Sequence, residues 1–146
     1  TFESLFGLKS LDLSNNLIEV LNPNQFKGLK NLHSLFLSEN KIKSIDNESF
    51  KHLENLNSLS LNVNKIVITQ KESQQNYFIF LKKLETLDLS GNPLVNFPNI
   101  LLNVLEKLVT LDLNNTLIER IEQDDLAGLV NLKYFEIEKC KSLQYI

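Results

Sequence analysis

An apolar pattern of the form LxxLxLxxNxIxxLxxxxFxxL returns along the whole chain and takes up almost all of its large hydrophobic side chains. Its lead leucines are Leu8, Leu32, Leu56, Leu84, Leu108 and Leu132, spaced by 24 residues except between Leu56 and Leu84, where the step is 28. A unit this short cannot enclose a core of its own. It has about seven inward apolar positions, each worth roughly 1.5 to 3 kcal/mol when fully buried, and ordering its backbone costs a comparable sum. One unit alone is therefore near break-even, and stability must come from stacking each copy on the next. Periods of this size mark solenoids.

Within the first full unit Leu8, Leu11 and Leu13 set a period of two, Asn16 follows, Ile18 and Leu21 continue inward, and Phe26 and Leu29 close the turn. That spacing predicts a short strand followed by an irregular return. The second unit repeats it as Leu32, Leu35, Leu37, Asn40, Ile42, Ile45, Phe50 and Leu53, and the fourth as Leu84, Leu87, Leu89, Asn92, Leu94, Phe97, Leu102 and Leu105.

These residues resemble the leucine-rich repeat family over essentially all of positions 2 to 146. A 24-residue unit with Phe or Leu near its nineteenth position is similar to the typical subclass found in extracellular proteins such as Toll-like receptors, Slit and small leucine-rich proteoglycans. The resemblance implies an α/β fold: a single right-handed horseshoe solenoid of about six units over 1–146, with a concave parallel sheet and with loops and short helical turns on the convex side. Phe2 and Leu5 read as the closing Phe and Leu of a preceding repeat, and Leu143 falls one residue late for the next inward position. The array is therefore expected to be part of a longer chain.

The asparagines Asn16, Asn40, Asn64 and Asn92 sit where each strand turns into its return. A buried amide needs partners, and an Asn there has the donors and the acceptor to bond backbone groups of adjacent turns, forming a ladder. Thr116 and Cys140 replace it in the last two units, which weakens the ladder without ending it. Cys140 thus reads as structural; a nucleophile would need a base beside it, and the only histidines, His33 and His52, lie three to four repeats away. A single cysteine forms no intrachain disulfide, so cysteine usage is silent about compartment.

Two N-glycosylation triplets occur, at Asn47 and at Asn114. With this much Asn, Ser and Thr about two are expected by chance, so they add almost nothing. Asn47, on the return segment, is the better acceptor, because a glycan on Asn114 would stand beside the concave sheet.

Net charge is −3 and the basic residues are scattered, with Lys41 and Lys43, and Lys82 and Lys83, among the few close groups. Nucleic acid is therefore not expected as a partner. No phosphate-binding glycine loop, metal spacing or catalytic serine set can be assembled, so no enzyme, cofactor or metal is expected. No apolar run is long enough to cross a membrane.

Function then rests on the side chains that the sheet presents. Equivalent positions become neighbours about 4.8 Å apart, and the column between the second and third leucines reads Asp12, Phe36, Ser60, Asp88, Asp112 and Glu136. Like charges side by side are unfavourable. Asp88, Asp112 and Glu136, with Glu85 and Glu138 nearby, would be relieved by a basic protein or peptide or by a bound cation, unless the solvated carboxylates simply lean apart. The column of Ser10, Ser34, Ser58, Thr86, Thr110 and Tyr134 reads as a wetted hydroxyl row. Phe36, exposed beside His33, is a hot-spot candidate. The four extra residues of the third unit fall in Val67 to Asn76, a polar loop that either contacts a partner or is a tolerated length change.

Two classes remain: a binding module of an extracellular or cell-surface receptor, of innate immune or adhesion type, and a cytoplasmic scaffold or regulatory segment. The resemblance favours the first.

Overall fold

The computed structural model describes residues 2–68 and 76–144. Its elements are β1 (Ser10–Asp12), β2 (Val20–Leu21), β3 (Ser34–Phe36), β4 (Ser44–Ile45), β5 (Ser58–Ser60), β6 (Thr86–Asp88), α1 (Asn99–Leu102), β7 (Thr110–Asp112) and β8 (Tyr134–Glu136). Six of them form one parallel sheet in the order β1-β3-β5-β6-β7-β8.

The register follows the repeat. Leu11, Leu35, Leu59, Leu87, Leu111 and Phe135 are successive partners, and the four central leucines are fully buried. The longer third unit causes no slip, since Ser60 still faces Asp88. A slip of one residue would turn this leucine row out of the core, so burial itself fixes the pairing. The loop assigned to Val67–Asn76 lies largely outside the described residues, at 69–75.

Behind the sheet, the closing aromatics stack: Phe26 on Phe50 at 6.2 Å and Phe50 on Phe78 at 6.1 Å between ring centroids. Leu102 takes the equivalent place in the next turn, at the end of α1, and is fully buried. Helix is confined to that element among the described residues. The return side also carries a two-stranded parallel pair, with Val20 beside Ser44 and Leu21 beside Ile45, which the repeat pattern did not announce.

Each turn ends its strand in the same way. Asn15, Glu39, Val63, Gly91, Asn115 and Lys139 all have positive φ, from 52° to 66°. Only one is glycine, and Val63 is β-branched, the type least suited to that region. At Gly28, with φ of 96°, an added Cβ would lie 2.6 Å from Glu3 Cα, so the first turn packs directly on that backbone.

The asparagine ladder exists, with limits. Asn40, Asn64 and Asn92 are buried. Each donates to carbonyls of its own turn and to one in the preceding turn: Leu13, Leu37 and Leu61, at 2.9 Å in each case. Each also accepts from a backbone N–H of the preceding turn, Ile18, Ile42 and Ile66 respectively. Asn16, in the edge turn, is exposed and donates only to Leu13 and Ser14 of its own turn.

Thr116 is too short to cross. Its hydroxyl bonds Leu113 O of its own turn and Cys140 Sγ of the following turn, while Leu94 N turns to Asn92 O. Cys140 resumes the crossing, with Sγ 3.4 Å from Leu113 O.

A second asparagine column lies one residue before the lead leucines. Asn31, Asn55 and Asn131 each donate at 2.7 Å to a carbonyl of the preceding turn, those of Phe6, Lys30 and Glu106. In the fourth turn Lys83 stands in that position and donates instead to Asn55 Oδ1.

Candidate binding face

The outward side chains of the six strands form two rows whose neighbours are set by strand pairing. Ser10, Ser34, Ser58, Thr86, Thr110 and Tyr134 make one row, and Asp12, Phe36, Ser60, Asp88, Asp112 and Glu136 the other. Three carboxylates therefore stand side by side on β6, β7 and β8. Glu85 lies apart from them, three residues before Asp88, where its backbone links Asn57 to Val109.

These aspartates also have local work, for a short carboxylate can accept from the backbone two residues on and so fix the turn. Asp12 Oδ1 accepts from Ser14 N, Asp88 Oδ1 from both N and Oγ of Ser90, and Asp112 Oδ1 from Asn114 N. The Asp-Leu-Ser and Asp-Leu-Asn strings carried that signal in the sequence.

The local bonds alone do not set the acidity of these carboxyls. At the edge, the bonds from Ser14 lower the Asp12 carboxyl below its ordinary value. In the row, burial raises that of Asp112, with the charges of Asp88, Glu136 and Glu138 adding to the rise and the bond from Asn114 opposing it. Desolvation and like charge thus outweigh a favourable hydrogen bond at the centre of the acidic row.

Asn114 closes the C-terminal side of this row. Its Nδ2 donates to Glu136 Oε2 at 2.9 Å and its Oδ1 accepts from Glu138 N, so both ends of the amide are engaged. At the other triplet, Asn47 is half-buried and its Oδ1 has no hydrogen-bond partner.

Tyr134 is 63% exposed and is the largest free surface of the hydroxyl row. Phe36 departs from expectation: it is half-buried, because Asp12 and Ser60 stand against it on both sides at strand spacing. His33 is exposed, and its Nδ1–H donates to Asn31 O at 2.7 Å. His33 and Phe36 thus sit in the N-terminal half, apart from the acids.

The sequence pattern did not bring out a basic counterpart. A shallow cavity of about 250 Å3 opens at the start of β7 and β8, floored by Val109 and lined by Glu85, Lys107, Asn131 and Lys133. The C-terminal half of the face thus carries two lysines beside Glu85 at the entry edge and a row of three carboxylates at the exit edge.

Among the described residues no group of three or more His, Cys, Asp or Glu is placed to hold a metal ion, and no helix is long and apolar enough to cross a membrane.

Solved structures with the same architecture include a TLR13–ssRNA13 complex, with 30% identity and a TM-score of 0.81 over 92% of this chain and 20% of that one. A Toll–Spatzle complex from Drosophila shares 26% identity, with a TM-score of 0.84 over 99% of this chain and 21% of that one. The functional domain of InlJ from Listeria monocytogenes also shares 26% identity, with a TM-score of 0.69 over 97% and 27%. The chain thus spans about a fifth to a quarter of the length of these structures. No curated protein sequence matches it. The model of the leucine rich repeat matches residues 1–68 and 82–141, and with strands, ladder and stacked phenylalanines all in its register, the chain belongs to the leucine-rich repeat family.

Proposed function

We propose that the chain is a ligand-recognition segment of an extracellular or cell-surface receptor, of innate immune or adhesion type, and part of a longer array. It docks a protein or peptide on its concave sheet. The observation that carries this reading is the row of Asp88, Asp112 and Glu136, adjacent by strand pairing, with a raised Asp112 carboxyl and Tyr134 exposed beside it. Cationic side chains laid over this row relieve its repulsion, and the exposed ring supplies contact area at low entropic cost. Lys107 and Lys133 on the other edge fix the orientation of a partner that carries acidic groups as well.

Two of the similar structures are complexes, one with single-stranded RNA and one with Spatzle. A protein partner is the better fit here, because phosphates laid on the acidic row would add to its repulsion. The same likeness supports the receptor setting over a cytoplasmic scaffold.

The test is binding of the partner isolated from the secreted proteins of the source tissue. Reversing Asp88 and Asp112 to lysine is expected to weaken binding by more than about tenfold and to remove most of its salt dependence. Unchanged affinity and unchanged salt dependence would overturn the assignment of this face.

A further inference from the structure

A second recessed surface lies on the return side, away from the sheet face. In the first turns three rungs tie neighbouring return segments together: Lys41 N to Ile18 O, Lys43 N to Glu19 O, and Asp46 N to Leu21 O. Between the fourth and fifth turns the first two rungs persist, Leu117 N to Leu94 O at 2.9 Å and Glu119 N to Val95 O at 3.2 Å. The third, from Glu122 N to Phe97 O, is absent, and Glu122 N is held at 2.8 Å by Asp125 Oδ2 instead. The chain leaves the repeat path at Pro98 and enters α1. The segments therefore part beyond Val95, and a cavity of about 550 Å3 opens there, reaching Gln144 of the last turn.

Its polar groups are of two kinds. Asp125 is spent, with Oδ1 accepting from Asn99 Nδ2 at 2.7 Å and Oδ2 from Glu122 N. Glu122 is paired with Arg120 at 3.3 Å. The side chains of Asn96, Glu119 and Gln144 make no hydrogen bond among the described residues, yet all three line the cavity. They present two amides, each both donor and acceptor, and one carboxylate acceptor, beside Val95 and Phe97.

We propose that this cavity binds a neutral saccharide. Each hydroxyl of a sugar is one donor and two acceptors, so vicinal hydroxyls can bond both the amides, which donate and accept, and the carboxylate, which accepts. The volume falls in the range of small-molecule sites, roughly 300 to 1,000 Å3. Anionic ligands are disfavoured, since three carboxylates face one guanidinium. A cation gains little, because two of those carboxylates already have partners and the third is exposed. The apolar floor is narrow, which sets a weak, millimolar affinity.

The test is an NMR titration of the isotope-labelled protein with maltohexaose, cellohexaose, chitohexaose and mannohexaose, with a heparin hexasaccharide and hexalysine as charged controls. At least one neutral hexasaccharide is expected to shift the side-chain amides of Asn96 and Gln144. Glu119→Gln and Asn96→Ala, both at exposed positions, should each weaken that binding by about tenfold. Several results overturn the proposal: no shift with any neutral sugar at about 20 mM, shifts mapped to another surface, or the same signals moved by heparin or hexalysine and not by sugar. Full affinity in a folded double variant, checked by circular dichroism, does so as well.

Discussion

Replacing Asn64 by Ala separates what a ladder residue does from what it touches. Its Nδ2 contacts Leu37 O, Leu61 O and Asn62 O, and its Oδ1 accepts from Ile42 N at 2.9 Å. The carbonyls keep other donors: Asn40 Nδ2 on Leu37 O, Asn92 Nδ2 on Leu61 O and Glu39 N on Asn62 O. Only Ile42 N is left buried without a partner. An orphaned buried group costs about 1 to 3 kcal/mol, and the shared donor bonds add a smaller amount, so the expected loss is about 2 to 3 kcal/mol. Asn16→Ala is the internal control, because its acceptor holds nothing in the preceding direction and Leu13 O retains Asn40 Nδ2; it should cost less than about 0.5 kcal/mol. Urea unfolding read by circular dichroism measures both, with the slope checked for constancy, since arrays lose cooperativity more readily than compact domains. Equal losses for the two variants would refute the orphan argument and leave general packing as the source of ladder stability.

Two further variants probe the strained turn and the acidic row. Val63→Asn, which places at the third turn the residue found at Asn15 and Asn115, should raise stability by about 1 kcal/mol by relieving left-handed backbone strain, and a loss in the same urea assay would contradict this. Asp112→Asn retains an oxygen for Asn114 N and removes a charge whose native form binds its proton more readily than the unfolded chain. Stability of the parent should therefore rise as pH falls from neutral toward the ordinary carboxylate range, and this part of the pH dependence should vanish in the variant, with an unchanged or higher melting temperature at pH 7. A steeper pH dependence in the variant would be inconsistent with a raised carboxyl.

Strand pairing was legible in the sequence because one spacing recurs. Once Leu11, Leu35, Leu59, Leu87 and Leu111 share a core row, Asp88, Asp112 and Glu136 must be neighbours on the opposite face. The ladder was legible for the same reason, but its strength depends on reach: Asn spans to the preceding carbonyl, whereas Thr116 reaches no group of the preceding turn. The second asparagine column was open to the same reading through Asn31, Asn55 and Asn131 and could have been found by its 24-residue recurrence. The left-handed column was not, because Asn, Glu, Val, Gly and Lys occupy it without chemical likeness; backbone geometry imposed by the stack outweighs residue preference there. Phe36 is less exposed than strand alternation predicts, because alternation gives a direction and not the shielding by side neighbours. The return-side cavity depends on the loss of one rung beside Pro98, and a repeat pattern averages over such a local event.

The most direct test of the docking account places a photo-crosslinking phenylalanine analogue at Tyr134, on the sheet face, and separately at Val20, on the return-side strand pair. Both sites are exposed, at 63% and 39%, so both report on what approaches the surface. Irradiation with the isolated partner should give a crosslinked product from position 134 and none from position 20, and the product should disappear when Asp88 and Asp112 are reversed to lysine. Crosslinking from position 20 alone, or from position 134 regardless of the reversed charges, would contradict the assignment of the acidic sheet face as the docking surface.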